Sequence, residues 1–224
     1  PSSGGQSGIQ VVNGATATLR NNLVAELGAP ASEGPDVAGI VLEDVSGVVV
    51  ESNQVRDVTV GISVFSRGRS PDPSNWLMTG NLVSQNRVSY SSAYPGASFP
   101  ERGLWLGALH PNTSVSLVVV GNGWFGQNAT VLARGLEVDT QGGSASAVGS
   151  QNQIVGWGTG VTVSGDQCMV DLSFNDLVGN LTQARAAASG PVSLANNWWG
   201  APVVPSNVSG ALVLLPILLA PVAR

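Results

Sequence analysis

The sequence predicts an all-β solenoid whose short strands stack in parallel, and two recurring signals carry that prediction. The first is an asparagine followed two residues later by a large apolar residue, with apolar residues five and three positions before it. It falls at Asn22, Asn53, Asn81, Asn122, Asn152, Asn175 and Asn197. The second is Gly-h-x-h (h apolar), which precedes six of these, at Gly8, Gly39, Gly61, Gly103, Gly135 and Gly160. The asparagines lie 31, 28, 41, 30, 23 and 22 residues apart, the spacing of one structural unit repeated with insertions. Such a unit describes a parallel β-helix of about seven coils.

Each element has a local reason. The h-x-h alternation has the period of a strand, so every second side chain points into a narrow core. Asparagine at a corner tolerates left-handed backbone angles. Its amide can also donate to and accept from the asparagine one coil away, so a file of them satisfies its own buried polar groups. Residues 1–7 read as a flexible leader. The first coil then starts at Gly8 without a capping element, and its open edge invites an end-to-end or larger assembly. In the fifth unit the upstream positions are the small Ala147 and Gly149, a thin spot in the core. The seventh unit has Gly190-Pro191-Val192 in place of Gly-h-x-h, as terminal repeats are usually atypical. The helix is expected over residues 8–202, with residues 203–224 as a capping segment. Residues 211–223 are almost wholly apolar but broken by Pro216 and Pro221. A spanning helix needs roughly 20 residues without such breakers, so no transmembrane segment is expected.

The spaced Gly-Ile/Leu-x-Val and Asn-x-Val/Ile units, with the run Ala195-Asn196-Asn197-Trp198-Trp199-Gly200-Ala201-Pro202, resemble the right-handed parallel β-helix repeats of pectin-lyase-like proteins. The run resembles a segment of bacterial extracellular members. The resemblance implies right-handed coiling and a secreted or cell-surface setting. It implies no activity, because lyases, hydrolases, epimerases, tailspikes and adhesins share the scaffold.

Composition narrows the partners. All nine basic residues are arginine, only 10% of residues are charged, and the net charge is −5. Nucleic acid is therefore not an expected partner, since phosphate binding needs a basic face. The single cysteine, Cys168, allows no internal disulfide and reads as a buried thiol beside a strand. The one histidine, His110, sits in the turn-like Leu109-His110-Pro111-Asn112. No acid cluster is denser than Glu43-Asp44, so neither a metal nor another cofactor is expected. Trp76, Trp124 and Trp199 occupy motif positions and read as core or corner residues.

The insertions point to a face. Within a unit, 14 to 20 residues separate glycine from asparagine, whereas 17, 8, 22, 13 and 8 separate each asparagine from the next glycine. The longest two, residues 26–36 and 84–102, thus leave the same corner, and loops gathered on one face build binding surfaces. Outward positions of the next strand should stack as Gln10, Val41, Ser63, Trp105, Glu137 and Thr162, with Val12, Glu43, Phe65, Gly107, Asp139 and Ser164 alongside. Coils about 4.8 Å apart would set Trp105 beside Glu137, near Asp139 and Phe65. Tyr94, Phe99 and Arg102 arrive on the long loop. An exposed Trp105 beside carboxylates suits stacking on a sugar ring; a covered one is an apolar floor for the loop.

Glu137 and Asp139, with backbones about 6.6 Å apart, meet the minimum of two carboxylates for glycoside hydrolysis. Arg102 is the weak candidate for a lyase base, which its high pKa opposes. The aspartate pair and Gly-His-Gly of polygalacturonase-like members are missing. The expectation is a secreted or cell-surface β-helix that binds polysaccharide or cell-surface glycan without catalysis, or has a structural or assembly role. The alternative is a polysaccharide lyase or glycoside hydrolase acting on the Trp105/Glu137/Asp139 face.

Overall fold

A computed structural model describes residues 7–25, 27, 38–90, 102–126, 131–201 and 205–223. The first two coils hold β1 (Ile9–Val12), β2 (Thr18–Arg20), β3 (Leu23–Ala25), β4 (Ile40–Glu43), β5 (Val49–Glu51) and β6 (Gln54–Arg56). The third holds β7 (Val60–Ser66), a 3-10 turn (Pro73–Trp76), β8 (Leu77–Ser84) and β9 (Arg87–Ser89). The fourth and fifth hold β10 (Arg102–Ala108), β11 (Ser114–Val120), β12 (Gly123–Phe125), β13 (Arg134–Thr140), β14 (Ser144–Ser150) and β15 (Gln153–Val155). Then follow β16 (Thr159–Gly165), β17 (Cys168–Leu172), β18 (Asp176–Val178), β19 (Thr182–Ala188), β20 (Val192–Ser193) and β21 (Val208–Ser209).

Every third strand pairs in parallel with its counterpart one coil on. Sheet A runs β1-β4-β7-β10-β13-β16-β19-β21, sheet B runs β2-β5-β8-β11-β14-β17-β20, and sheet C runs β3-β6-β9-β12-β15-β18. The protein is an all-β right-handed parallel β-helix. Its core is a column walled on three sides, with Leu104, Leu117 and Trp124 filling one coil and Leu136, Ala147 and Ile154 the next. Burying each large side chain contributes about 1.5–3 kcal/mol. The glycines of Gly-h-x-h are required by close approach. A Cβ on Gly39 would strike Val55 and the Gly61 carbonyl, and one on Gly103 would strike the Gly135 carbonyl and Trp124.

The corner between sheets B and C carries the asparagine file. Its members are Asn22, Asn53, Asn86, Asn122, Asn152, Asn175 and Asn197. From Asn22 to Asn175, each backbone N–H and each Nδ2 donates to the Oδ1 of the asparagine one coil later, at 2.8–3.1 Å. Nδ2 also donates back to a carbonyl of the preceding coil, as Asn86 does to Val50 at 2.8 Å and Asn122 to Val83 at 2.8 Å. The left-handed residue is the one before each asparagine: Asn21, Ser52, Gln85, Gly121, Gln151, Phe174 and Asn196 have φ between 55° and 67°.

Four expectations are corrected. Asn86, not Asn81, is the third member of the file. Asn81 points into the core from β8, opposite Leu117, where the register is bulged. There its Oδ1 accepts from the Val48 N–H at 3.0 Å and its Nδ2 donates to the Val45 carbonyl at 2.9 Å, so a buried amide replaces an apolar residue without loss. The seventh sheet-A strand is β19, with Gln183 at the glycine position; Gly190-Pro191 instead turns the chain into β20. The thin spot is filled, because a Cβ on Gly149 would collide with Val119 and touch Leu172. Trp76 lies in the 3-10 turn, where its Nε1 donates to the Ser70 carbonyl at 3.2 Å, whereas Trp124 and Trp199 are buried in the core.

The winding continues past residue 202. β21 pairs with β19, Val213 bridges Ser193, and the Leu218 N–H donates to the Asn197 carbonyl at 3.0 Å. Among the described residues, no helix is long and apolar enough to cross a membrane.

Replacing Asn122 by Ala strips the acceptor from Asn86 and the donor from Val83 and Asn152. Each buried group so orphaned costs about 1–3 kcal/mol, so Asn122→Ala should lower the unfolding free energy by about 3 kcal/mol or more in a urea titration. Asn86→Ala should behave alike, as a member of the same file.

Candidate functional site

The outward residues of sheet A stand in the two files that the sequence predicts. Gln10, Val41, Ser63, Trp105, Glu137 and Thr162 are successive Cα partners, and the file continues through Arg185 to Ser209. Val12, Glu43, Phe65, Gly107, Asp139 and Ser164 form the second, which continues to Ala187.

The upstream half of this face is apolar and closed. Ala38, Val41, Val60, Phe65 and Trp105 form a buried cluster outside the coil core, with Leu109 packed against it. Trp105 is only 8% exposed, so of the two readings the covered apolar residue holds and the exposed sugar platform does not. Its ring stacks on Phe65 with centroids 6.3 Å apart, and the Arg102 guanidinium lies 5.0 Å from its centroid. Arg67 lies 4.9 Å above Phe65 in the same way. Tyr94 and Phe99 fall outside the described residues. Two polar atoms in this closed half, Ser63 Oγ and Trp105 Nε1, are buried without a hydrogen-bond partner.

Next along the file, Glu137 is clasped from both sides. One carboxylate oxygen accepts from Arg102 Nε and the other from Arg134 Nη1, and its side chain is 7% exposed. Asp139 accepts from the Ser164 hydroxyl at 2.7 Å. The three residues weighed for catalysis are thus brought onto one face, but Glu137 and Arg102 are committed to each other. Breaking such a buried pair by removing one partner leaves an uncompensated charge.

The downstream half is polar and open. A groove of about 280 Å³ lies over β13, β16 and β19, lined by Arg134, Glu137, Thr159, Thr162, Ser164 and Arg185 among others. The exposed Val131 and Leu132 form part of its lining just before β13. Arg185 is exposed and makes no ion pair among the described residues. Sequence reading missed this residue because Gln183 interrupts the glycine signal. The spacing held the clue: glycine follows Asn53 and Asn152 by eight residues, and Gln183 follows Asn175 by eight.

Cys168 is buried, its thiol donating to the Ser164 carbonyl at 3.1 Å. Burial pushes its pKa above the ordinary thiol value, the Thr140 hydroxyl opposes this, and Asp139 and Asp166 add to it. Among the described residues, no three His, Cys, Asp or Glu side chains gather closely enough to hold a metal ion.

Comparison with protein-family models, with curated proteins and with solved structures returned no match.

Removing the unpartnered hydroxyl in Ser63→Ala should raise stability by about 1 kcal/mol in a denaturant titration. Cys168 should resist thiol reagents near neutral pH in the folded protein and react promptly in denaturant. Because its folded pKa is raised, the neutral thiol's contribution to stability is full below the unfolded value and fades as pH rises through the folded one.

Proposed function

We propose that this chain is a non-catalytic β-helix that binds an acidic saccharide in the groove over β13, β16 and β19. One observation carries the reading: Arg185, an exposed guanidinium without an ion-pair partner among the described residues, faces the same groove as three hydroxyl side chains. A guanidinium matches a sugar carboxylate with two parallel N–H donors. Thr159, Thr162 and Ser164 can exchange hydrogen bonds with ring hydroxyls, and the exposed Leu132 can lie against the C–H face of a ring. The volume falls just under the roughly 300–1,000 Å³ of small-molecule pockets, which suits a short stretch of a longer chain.

The state of Glu137 argues against chemistry, since both of its oxygens are held by arginines. A secreted or cell-surface setting belongs to the same proposal and rests on the sequence resemblance to bacterial pectin-lyase-like proteins. The burial of Trp105 favours a second reading, a structural spacer without a ligand.

The test is binding to polygalacturonate, alginate and neutral dextran by calorimetry, with reducing ends and unsaturated products followed in the same samples. The acidic polymers should bind and dextran should not. Arg185→Ala should weaken binding about 10- to 100-fold, the equivalent of one charge-assisted hydrogen-bond pair. Trp105→Phe should leave affinity unchanged. Product formation lost in Glu137→Gln or Asp139→Asn would establish the lyase or hydrolase alternative, and no binding by folded protein would favour the spacer.

A further inference from the structure

The groove over β13, β16 and β19 has a second arginine in its wall. Arg134 lines it together with Arg185, whereas Arg102, the other arginine of the Glu137 clasp, does not. The Arg134 side chain is 32% exposed, against 17% for Arg102 and 7% for Glu137. Among the described residues its guanidinium gives Glu137 one hydrogen bond, from Nη1. A guanidinium carries five N–H donors, so most of this fork is left for a ligand. Glu137 does not cancel its charge. Arg102, Glu137 and Arg134 sum to one positive charge, and both carboxylate oxygens already accept from the arginines.

The strand register sets the distance between the two cations. Arg134, Thr159 and Thr182 are successive partners on β13, β16 and β19, as are Glu137, Thr162 and Arg185. By reaching Glu137, the Arg134 guanidinium leans from its own file toward the file that holds Arg185. The two cations are thus rooted on strands two coils apart, a separation of about 9.6 Å along the axis. Over β16 between them the groove offers Thr159, Thr162 and Ser164, none of them charged.

We propose that the groove is bivalent, taking one carboxylate at Arg134 and another at Arg185 from a saccharide chain that lies along the solenoid axis. An extended pyranose chain advances by close to one coil per sugar, so the matching acids belong to the first and third units. In a two-fold ribbon these two carboxylates leave the same edge, and that of the middle unit leaves the other. A chain laid across the coils, along β16, would meet hydroxyls alone. Each guanidinium can pair with its carboxylate through parallel N–H donors. Once one acid is held, the second contact is intramolecular, so affinity rises steeply when the ligand becomes long enough to reach both. The inference rests on the acidic-saccharide reading and adds to it the number and spacing of the acids.

The test is calorimetry with β-linked glucuronate oligomers of one to four units, with a trisaccharide carrying a single terminal glucuronate, and with neutral cellotriose. The triglucuronate should bind about 10-fold or more tighter than the diglucuronate, and the fourth unit should add little. The singly charged trisaccharide should bind no better than the diglucuronate. Arg134→Gln and Arg185→Gln should each abolish the step from two units to three. Because Arg134→Gln removes a partner of Glu137, the pair Arg134→Gln with Glu137→Gln is the second variant; it keeps the local net charge and should lose the same step. Circular dichroism confirms folding, and the length series on the unaltered protein needs no variant. Equal affinity for the di- and triglucuronate, or a step that survives in both variants lacking Arg134, would overturn the bivalent groove and leave acidic-saccharide binding in place. No binding of any glucuronate oligomer would overturn both.

Discussion

The asparagine file at the B–C corner is the interaction on which the rest of the fold depends. Each inner member, such as Asn53, gives a backbone N–H and an Nδ2–H to one Oδ1 of the next coil, while Nδ2 also reaches back to the previous one. Three coils are thereby tied through one buried side chain. A slip of one residue would orphan these groups and turn the apolar positions of β5 or β6 outward, since side chains alternate along a strand. The left-handed residue before each asparagine bends the chain so that the amide points inward. Stacking, register and burial of the column all follow from that corner.

Against this regular frame, sheet A divides along the helix axis. Its upstream outer face, around Val41, Phe65 and Trp105, is a second apolar cluster beneath Arg67 and Arg102. Its downstream outer face, from Glu137 to Arg185, is polar and grooved. Glu137 lies at the boundary, its charge balanced by Arg102 on one side and Arg134 on the other. In a chain with so few charged residues, Arg102, Arg134 and Arg185 all fall on this one sheet.

Much of the architecture was legible in the sequence because it is dictated by nearest neighbours. The register of sheet A follows from glycine and alternating apolar residues, down to Trp105 opposite Glu137 and Gly107 opposite Asp139. The third corner was misread because both Asn81-Leu82-Val83 and Asn86-Arg87-Val88 fit an Asn-x-apolar motif. Asn81 also sits five residues before Asn86, where the pattern demands an apolar residue. The sequence cannot show that a bulge in β8 leaves two backbone groups for that amide to satisfy. Arg185 was hidden by a similar substitution, Gln183 for glycine, in a strand whose inward residues are the small Ala184 and Ala186. The exposure of Trp105 was not legible at all, because periodicity tells which way a side chain points and not what lies over it.

A double-mutant cycle tests most directly whether Asn86 belongs to the file and Asn81 does not. Asn53→Ala is combined in turn with Asn86→Ala and with Asn81→Ala, and unfolding free energies are compared. Asn53 and Asn86 share two hydrogen bonds, so their effects should be non-additive by about 1 kcal/mol or more, as expected for residues in one network. Asn53 and Asn81 share none and should add within about 0.5 kcal/mol. Strong coupling of Asn53 to Asn81, with none to Asn86, would contradict the corner as described and the coil register built on it.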